Sequence, residues 1–423
     1  MKNDTGEFSW SDALYAFFGH ARFAKALSVS VLATFFSLHL LTVLLGNAGV
    51  VSILLSELVL AAVALLSRRR SVAWSRVLPV TVGLYLGWAI LSLVWSNYLS
   101  RTALALLPLI ISVLLALALS ALRDTLQIVR SLGDVLRVML GLSLALEILS
   151  GLLIDIPFTF LGIQGNLGTG GPIQGIYGSR TTLTLVALMA LTTFLVERHM
   201  KSVRFATSFI SFFIAGFCFL FSATGVSWTI LLLTALSWGV ISMLRRVPAQ
   251  QRRNTHIALG ATLVIAFIVL WATRSQVVAL LNTQGLISAR IHLWQAMWSY
   301  IKVNPLIGWG WVGPWPEHVN PYGVIEYVSK ISLDTGLNAY LDLWLQLGLI
   351  GLCLFGALLA FGFVRGWILA TAKKSKVFIW LPLMFIILAL QSLIGSDLLA
   401  PLGIFTLTLI AAYSSAEFKS RKR

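Results

Sequence analysis

Apolar and polar residues fall along this chain in long blocks. Runs of about twenty apolar residues alternate with short polar stretches, and a helix needs about that length to cross a hydrocarbon core of about 30 Å. The pattern predicts membrane helices near 26–45, 48–66, 77–96, 102–121, 136–154, 181–196, 205–222, 226–244, 256–273, 338–364, 377–394 and 397–414. The expected fold is therefore all-α, a polytopic membrane protein with about 12 transmembrane helices and one large extracytoplasmic loop. The hairpin at Ser222–Gly225 is tight enough for spans seven and eight to be mistaken for one bent element. Two connections exceed simple turns. Residues 155–180 are rich in glycine, and residues 274–337 hold a predicted helix, ARIHLWQAMWSYIKV, closed by Asn304-Pro305 because proline disfavours helix at the residue before it. The chain divides accordingly into membrane helices 1–9 over 1–273, the large loop over 274–337, and helices 10–12 with a cytoplasmic tail over 338–423.

Composition supports lipid as the main solvent. Of 423 residues, 58% are hydrophobic and 11% charged, against about 25% charged in soluble domains. The net charge of +16 would suit nucleic acid if the basic residues formed one face. Instead they cluster between apolar runs, so no nucleic-acid partner is expected. With both termini cytoplasmic, every cytoplasmic segment is basic, and of the 31 Lys and Arg only Arg101, Arg180, Arg274, Arg290, Lys302 and Lys330 lie elsewhere. The first 25 residues are polar and mixed, so the first apolar run is expected to be retained rather than cleaved. Cys218 and Cys353 lie in apolar stretches and offer neither a metal pattern nor support for a disulfide.

Candidate chemistry lies on the outer side. Arg290 sits four residues before Trp294 on the predicted loop helix, so the two share a face, and an arginine beside an aromatic suits a phosphate or diphosphate. The alternatives are a solvated arginine or an anchor to headgroups. Arg180 opens span six, where a lone cation opposes the helix dipole and calls for a compensating anion. Interfacial snorkelling is the plainer reading. The glycines at 165, 168, 170 and 171 form no phosphate loop, because no GK[ST] follows. His318, Glu317, Glu326, Asp334 and Asp342 are each within the range of a general base or of an ordinary loop group. His292 flanks Arg290 and reads as packing. Glu57 and Glu147 fall inside apolar spans, where carboxylates are costly, which points to function or a buried pair; His39 is a possible partner for one of them. The tryptophans near span ends fit an interfacial belt, and those of the large loop fit either the belt or sugar stacking.

At 337–351 the chain reads LNAYLDLWLQLGLIG, which resembles the O-antigen ligase and Wzy-type polymerase superfamily motif of His-Asn, nine residues and Gly-x-x-Gly, carried by Asn338, Gly348 and Gly351. ARIHLWQAMWSYIKVNPLIGWG resembles the family's Arg-x-x-x-Trp helix and Asn-Pro-Leu-x-Gly-x-Gly turn, through Arg290, Trp294, Pro305, Gly308 and Gly310. GIYGSRT looks like its Gly-(Ile/Leu)-Phe-Gly-His-(Lys/Arg)-Asn motif, with Arg180 at the basic position and Ser179 replacing histidine. FSATGVSW is similar to the Leu-Ser-x-Ser-(Arg/Lys)-Thr hairpin, without its basic residue.

The resemblance implies a GT-C-like membrane glycosyltransferase of the bacterial cytoplasmic membrane that works without metal or cofactor. Its donor would be a glycan on undecaprenyl diphosphate, its acceptor a glycan or lipid hydroxyl, and its surroundings membrane lipids and other polysaccharide-assembly proteins. Arg180, Arg290, Trp294, Asn338, Tyr340 and Asp342 would bind substrate. The ligases' histidine is replaced by Leu337, which cannot take a proton, so Asp334, and after it His318, are the nearest candidate bases. That loss favours polymerase over ligase. A transporter or flippase working through Glu57 and Glu147, and a non-catalytic scaffold, are the alternatives from other classes.

Overall fold

The computed structural model describes residues 17–69, 78–248, 250–273, 276, 286–316, 319–329 and 334–421. It is all-helical, with no strand among these residues beyond an isolated bridge between Phe158 and Ile163. In chain order the helices are α1 (Ala21–Phe36), α2 (Leu38–Ser67), α3 (Val80–Leu91), α4 (Leu99–Leu122), α5 (Thr125–Ile148), α6 (Arg180–His199) and α7 (Phe205–Ser222). They continue with α8 (Gly225–Leu244), α9 (Arg252–Ala272), α10 (Leu286–Ile301), α11 (Tyr322–Ser329), α12 (Ala339–Ala372), α13 (Trp380–Gln391) and α14 (Pro401–Arg421).

Among the described residues eight helices are long and apolar enough to cross a membrane, joined by two shorter apolar segments, Val80–Val94 and Lys376–Gln391. Their outer faces carry exposed Leu84, Leu104, Phe209, Phe213, Leu232 and Leu236. A soluble monomer would not leave so continuous an apolar surface. The protein is therefore a polytopic membrane protein. Innermost are α6 and α14, with α14 packed along α4 and α6 packed against α7.

Several boundaries differ from the sequence pattern for identifiable reasons. The helix expected at 136–154 starts at Thr125, because Asp124 caps it: its Oδ1 accepts the Gln127 N–H at 2.8 Å. The polar residues of those early turns hide them from an apolar scan. Spans seven and eight are two helices, α7 and α8, and the Thr224 N–H bonds to Ser227 Oγ at 3.1 Å to start the second. The span placed at 397–414 begins at Pro401, leaving residues 392–400 as a connection.

Two helices are broken inside apolar runs. In α2 the break is Gly46 (φ 71°, ψ 171°), after which the chain returns, so that the Arg68 Nε–H reaches the Gly19 carbonyl at 2.9 Å. In α12 it is Gly348 (φ 68°, ψ −174°). The backbone groups freed there are taken up by the turn at 305–310. Leu349 and Ile350 donate to the Pro305 and Leu306 carbonyls at 2.9 and 3.2 Å, and the Leu345 and Gln346 carbonyls accept from Trp309 and Gly310 at 3.0 and 2.8 Å. The Leu347 carbonyl accepts the Trp88 indole N–H at 3.0 Å. A helix interrupted in a dry setting must find such partners, and here a loop supplies them.

Candidate functional site

The connection 392–400 gathers the segments that carry the sequence motifs. Asn338 caps α12: its Oδ1 accepts from the Tyr340 and Leu341 N–H groups at 3.0 and 3.1 Å, and its Nδ2 donates to the Leu393 carbonyl at 3.3 Å. From α10, Arg290 Nη1 donates to the Ile394 carbonyl at 2.5 Å. From the first turn of α6, Thr182 Oγ1 donates to Asp397 Oδ1 at 2.6 Å. Gln391 Nε2 donates to the Thr181 carbonyl at 3.3 Å. Thr182, Arg290 and Asn338 are far apart in sequence yet meet across one nine-residue connection.

Arg180 settles its electrostatic problem in an unexpected way. Although it starts α6, its Nε and Nη2 donate to the Ser222 and Ala223 carbonyls, both at 2.7 Å. The cation thus sits on the carbonyl end of α7, the negative pole of a neighbouring dipole. The guanidinium keeps further N–H donors beyond these two. Among the described residues neither Arg180 nor Arg290 forms an ion pair. Both are half-buried, and burial lowers the pKa of Arg290 by working against its charged form. An arriving anion would relieve that penalty.

Asp397 was not picked out by the sequence pattern, which absorbed it into the start of an apolar span. An acid in an apolar run next to Gly395 and before Pro401 was the available signal. Burial raises its pKa first, the Thr182 hydroxyl opposes the shift, and the charge of Asp334 adds to it. Asp334 itself is exposed, with its carbonyl accepting the Trp315 N–H at 2.6 Å. The charge of Asp334 thus acts on the Asp397 carboxyl. His318 and Glu317, also weighed as bases, lie outside the described residues.

Other candidates turn out to hold the scaffold. Asp342, expected at the substrate, is 1% exposed. Its Oδ1 accepts from Trp315 Nε1 and Gln346 Nε2 at 2.8 and 2.9 Å, and its Oδ2 accepts from the Gly336 N–H at 3.2 Å. Gln346 extends the network by accepting from Val312 and Gly313 at 2.9 and 3.1 Å. A carboxylate so enclosed organises the large loop. Tyr340 donates to the Ala389 carbonyl at 2.9 Å and ties α12 to α13. Trp294 donates its indole N–H to the Gly336 carbonyl at 3.0 Å, while Trp309, Trp311 and Trp315 are likewise bonded inside the protein. The loop tryptophans thus fasten the loop; among those five, Trp298 at 41% exposure is the most open to a sugar face or lipid.

The acids inside the spans also have structural partners. Glu57 accepts from Ser30 and Thr34 at 2.6 and 2.9 Å, joining α1 to α2. Glu147 Oε1 accepts from the Gln174 and Gly175 N–H groups at 2.9 and 2.8 Å and anchors the glycine-rich loop. His39 pairs with neither. Its ring lies so close to Gly178 that a Cβ there would come within 2.3 Å of it, and its Nε2 is buried without a partner. Cys218 is buried and Cys353 exposed, both as free thiols. No cluster of metal-binding side chains occurs among the described residues.

No curated protein matches the chain significantly. Residues 210–356 match the family model described as Wzy_C, O-antigen ligase, which spans α7 to the first half of α12. The match supports polysaccharide ligation or polymerisation by a membrane glycosyltransferase-like enzyme, with lipid-linked polysaccharide as substrate. Over residues 210–356, about a third of its length, the chain is thus similar to the O-antigen ligase family.

Proposed function

We propose that this protein transfers a glycan from an undecaprenyl-diphosphate-linked donor to a sugar hydroxyl, polymerising a surface polysaccharide at the outer face of the bacterial cytoplasmic membrane. In this reading the chain crosses the bilayer twelve times with both termini cytoplasmic. The observation that carries the proposal is the convergence of Thr182, Arg290 and Asn338 on residues 392–400. Arg180 is two residues from Thr182 in the chain, and in this reading its guanidinium acts with that of Arg290 on one donor. The leaving group is a diphosphate, and preorganised guanidinium donors stabilise its developing charge without a metal. A carboxylate then takes the proton of the acceptor hydroxyl, which attacks the anomeric carbon and inverts it. We assign that role to Asp397, with Asp334 tuning it.

The assignment has a sign. A carboxyl whose pKa is raised becomes an effective base only above that raised value, so transfer should fall on acidification while ordinary aspartates, near about 3.9, are still ionised. Replacing Asp334 with Asn removes a like charge and should move the acid limb to lower pH. Asp397→Asn should abolish the limb and lower the rate by about 10²–10⁴-fold. A pH–rate profile unchanged in Asp397→Asn would discard Asp397 as the base.

Polymerase and ligase differ in what accumulates when the gene is deleted. Single lipid-linked repeats, detected by mass, are the expected result. Full-length chains left on the prenyl carrier would identify a ligase instead, a reading kept open because the matched family carries the ligase description.

A further inference from the structure

The start of α6 carries three hydroxyl side chains joined in a row that ends on a carboxylate. Ser179 caps the helix: its Oγ accepts the Thr182 N–H at 3.1 Å. The same Oγ lies 2.8 Å from Thr182 Oγ1 and 3.0 Å from Thr181 Oγ1, and Thr182 Oγ1 lies 2.6 Å from Asp397 Oδ1. A hydroxyl holds one proton, and an ionised carboxylate can only accept. These two facts fix the direction of every bond. Thr182 gives its proton to Asp397, so the bond between Ser179 and Thr182 is donated by Ser179. With its own proton spent there, Ser179 receives from Thr181. The chain therefore runs from Thr181 through Ser179 and Thr182 to Asp397, and it begins at an oxygen with lone pairs to spare. Among the described residues no donor meets Thr181 Oγ1, and Thr181 is partly exposed. A second unmet acceptor belongs to the side chain that holds this residue. Gln391 is 2% exposed, its Nε2 donates to the Thr181 carbonyl at 3.3 Å, and its Oε1 is buried with no partner.

We infer that Thr181, Ser179 and Thr182 form a relay that carries the proton of the acceptor sugar hydroxyl to Asp397. The inference rests on Asp397 being the base, and it names Thr181 as the residue that meets the acceptor. As the acceptor oxygen bonds to the anomeric carbon, its O–H bond breaks and the proton passes to Thr181 Oγ1. Thr181 releases its own proton to Ser179, Ser179 to Thr182, and Thr182 to Asp397 Oδ1, which ends as the neutral acid. The bond between the anomeric carbon and the diphosphate breaks with its electron pair on the departing diphosphate. The acceptor loses one proton and Asp397 gains one, so the three hydroxyls end as they began. A sugar hydroxyl suits the open end because it supplies the donor that Thr181 lacks. Hydrogen bonds aligned in one direction also polarise one another, which strengthens the chain.

The test uses the full chain in neutral detergent, assayed on the lipid-linked glycan that accumulates in the deletion strain. Thr181→Val removes the entry hydroxyl and keeps the shape of the side chain. Transfer should fall by about 10²-fold or more, within the range of general-base catalysis, and the acid limb set by Asp397 should vanish. Thr181→Ser, which returns the hydroxyl, should restore both. The deciding readout is a double variant. Groups that act as one unit are not additive, so Thr181→Val combined with Asp397→Asn should be no slower than Asp397→Asn alone. A Thr181 that only supported the fold would multiply the two losses. Ser179→Gly disturbs the helix start little and cuts the relay at its centre, so it should show the same loss and decides the matter should Thr181→Val fail to fold. A wild-type rate and limb in Thr181→Val, or multiplied losses in the double variant, would overturn the relay and leave Asp397 meeting the acceptor directly. Undiminished transfer in Asp397→Asn would instead remove the base and the relay together.

Discussion

Arg290→Ala and Arg180→Ala are each expected to lower transfer from a lipid-linked glycan by about 10²-fold or more, the scale on which single preorganised donors to a developing anion act. The two should differ in a second readout. Arg180 also holds the carbonyl end of α7, through Ser222 and Ala223, so its loss should lower the melting temperature as well as the rate. Arg290 holds one carbonyl of the connection, Ile394, and its loss should fall more on catalysis than on stability. Lysine at either position keeps a charge but cannot make the planar pair of bonds, so it should rescue little. Purified variants with intact helicity, assayed on the same donor, make the comparison. Undiminished transfer in both alanine variants would remove the cationic clamp from the mechanism.

The second large effect is expected at Gly348. Its backbone, φ 68° and ψ −174°, belongs to a region that is nearly glycine-only and costs other residues about 1–3 kcal/mol. Gly46 adopts almost the same conformation, φ 71° and ψ 171°. The two sites differ in what surrounds them. A Cβ at Gly46 meets nothing within 4 Å, whereas one at Gly348 would sit 2.2 Å from the Leu306 carbonyl oxygen. Gly46→Ala should therefore cost the conformational strain alone, about 1–3 kcal/mol. Gly348→Ala adds expulsion of the 305–310 turn and four displaced main-chain hydrogen bonds, and should exceed about 4 kcal/mol, in the range where most protein fails to fold. Expression yield and thermal melting in detergent compare the pair directly. Equal losses would mean that the turn is not seated in the helix break as described.

The helices were legible in the sequence because a bilayer imposes a length on apolar runs, and that periodicity survives without any knowledge of neighbours. The glycine-x-x-glycine spacing at Gly348 and Gly351 and the turn at Gly308 and Gly310 were visible too, but not that they fit together. The N–H groups that link them are the same in every residue type, so no side-chain pattern announces such pairing. Asp397 escaped for the opposite reason. Its neighbours Leu393, Ile394, Leu398 and Leu399 swamp a single acid in any average over hydrophobicity, although a carboxyl in an apolar run is the informative residue there. Trp294, Asp342 and Tyr340 were noticed for chemistry that their type permits. Only the direction of each side chain reveals that Trp294 and Asp342 hold the loop while Tyr340 ties α12 to α13.

Because α12 and the 305–310 turn complete one another's hydrogen bonding, neither can be exchanged alone. A chimera that transplants the extramembrane segment from a relative into this bundle would leave the interrupted helix with orphaned donors and acceptors in a place water reaches poorly. Grafts that carry the segment together with residues 339–350 should remain soluble in detergent and correctly assembled. Inheritance of acceptor preference among related enzymes would then move in blocks that cross the membrane boundary.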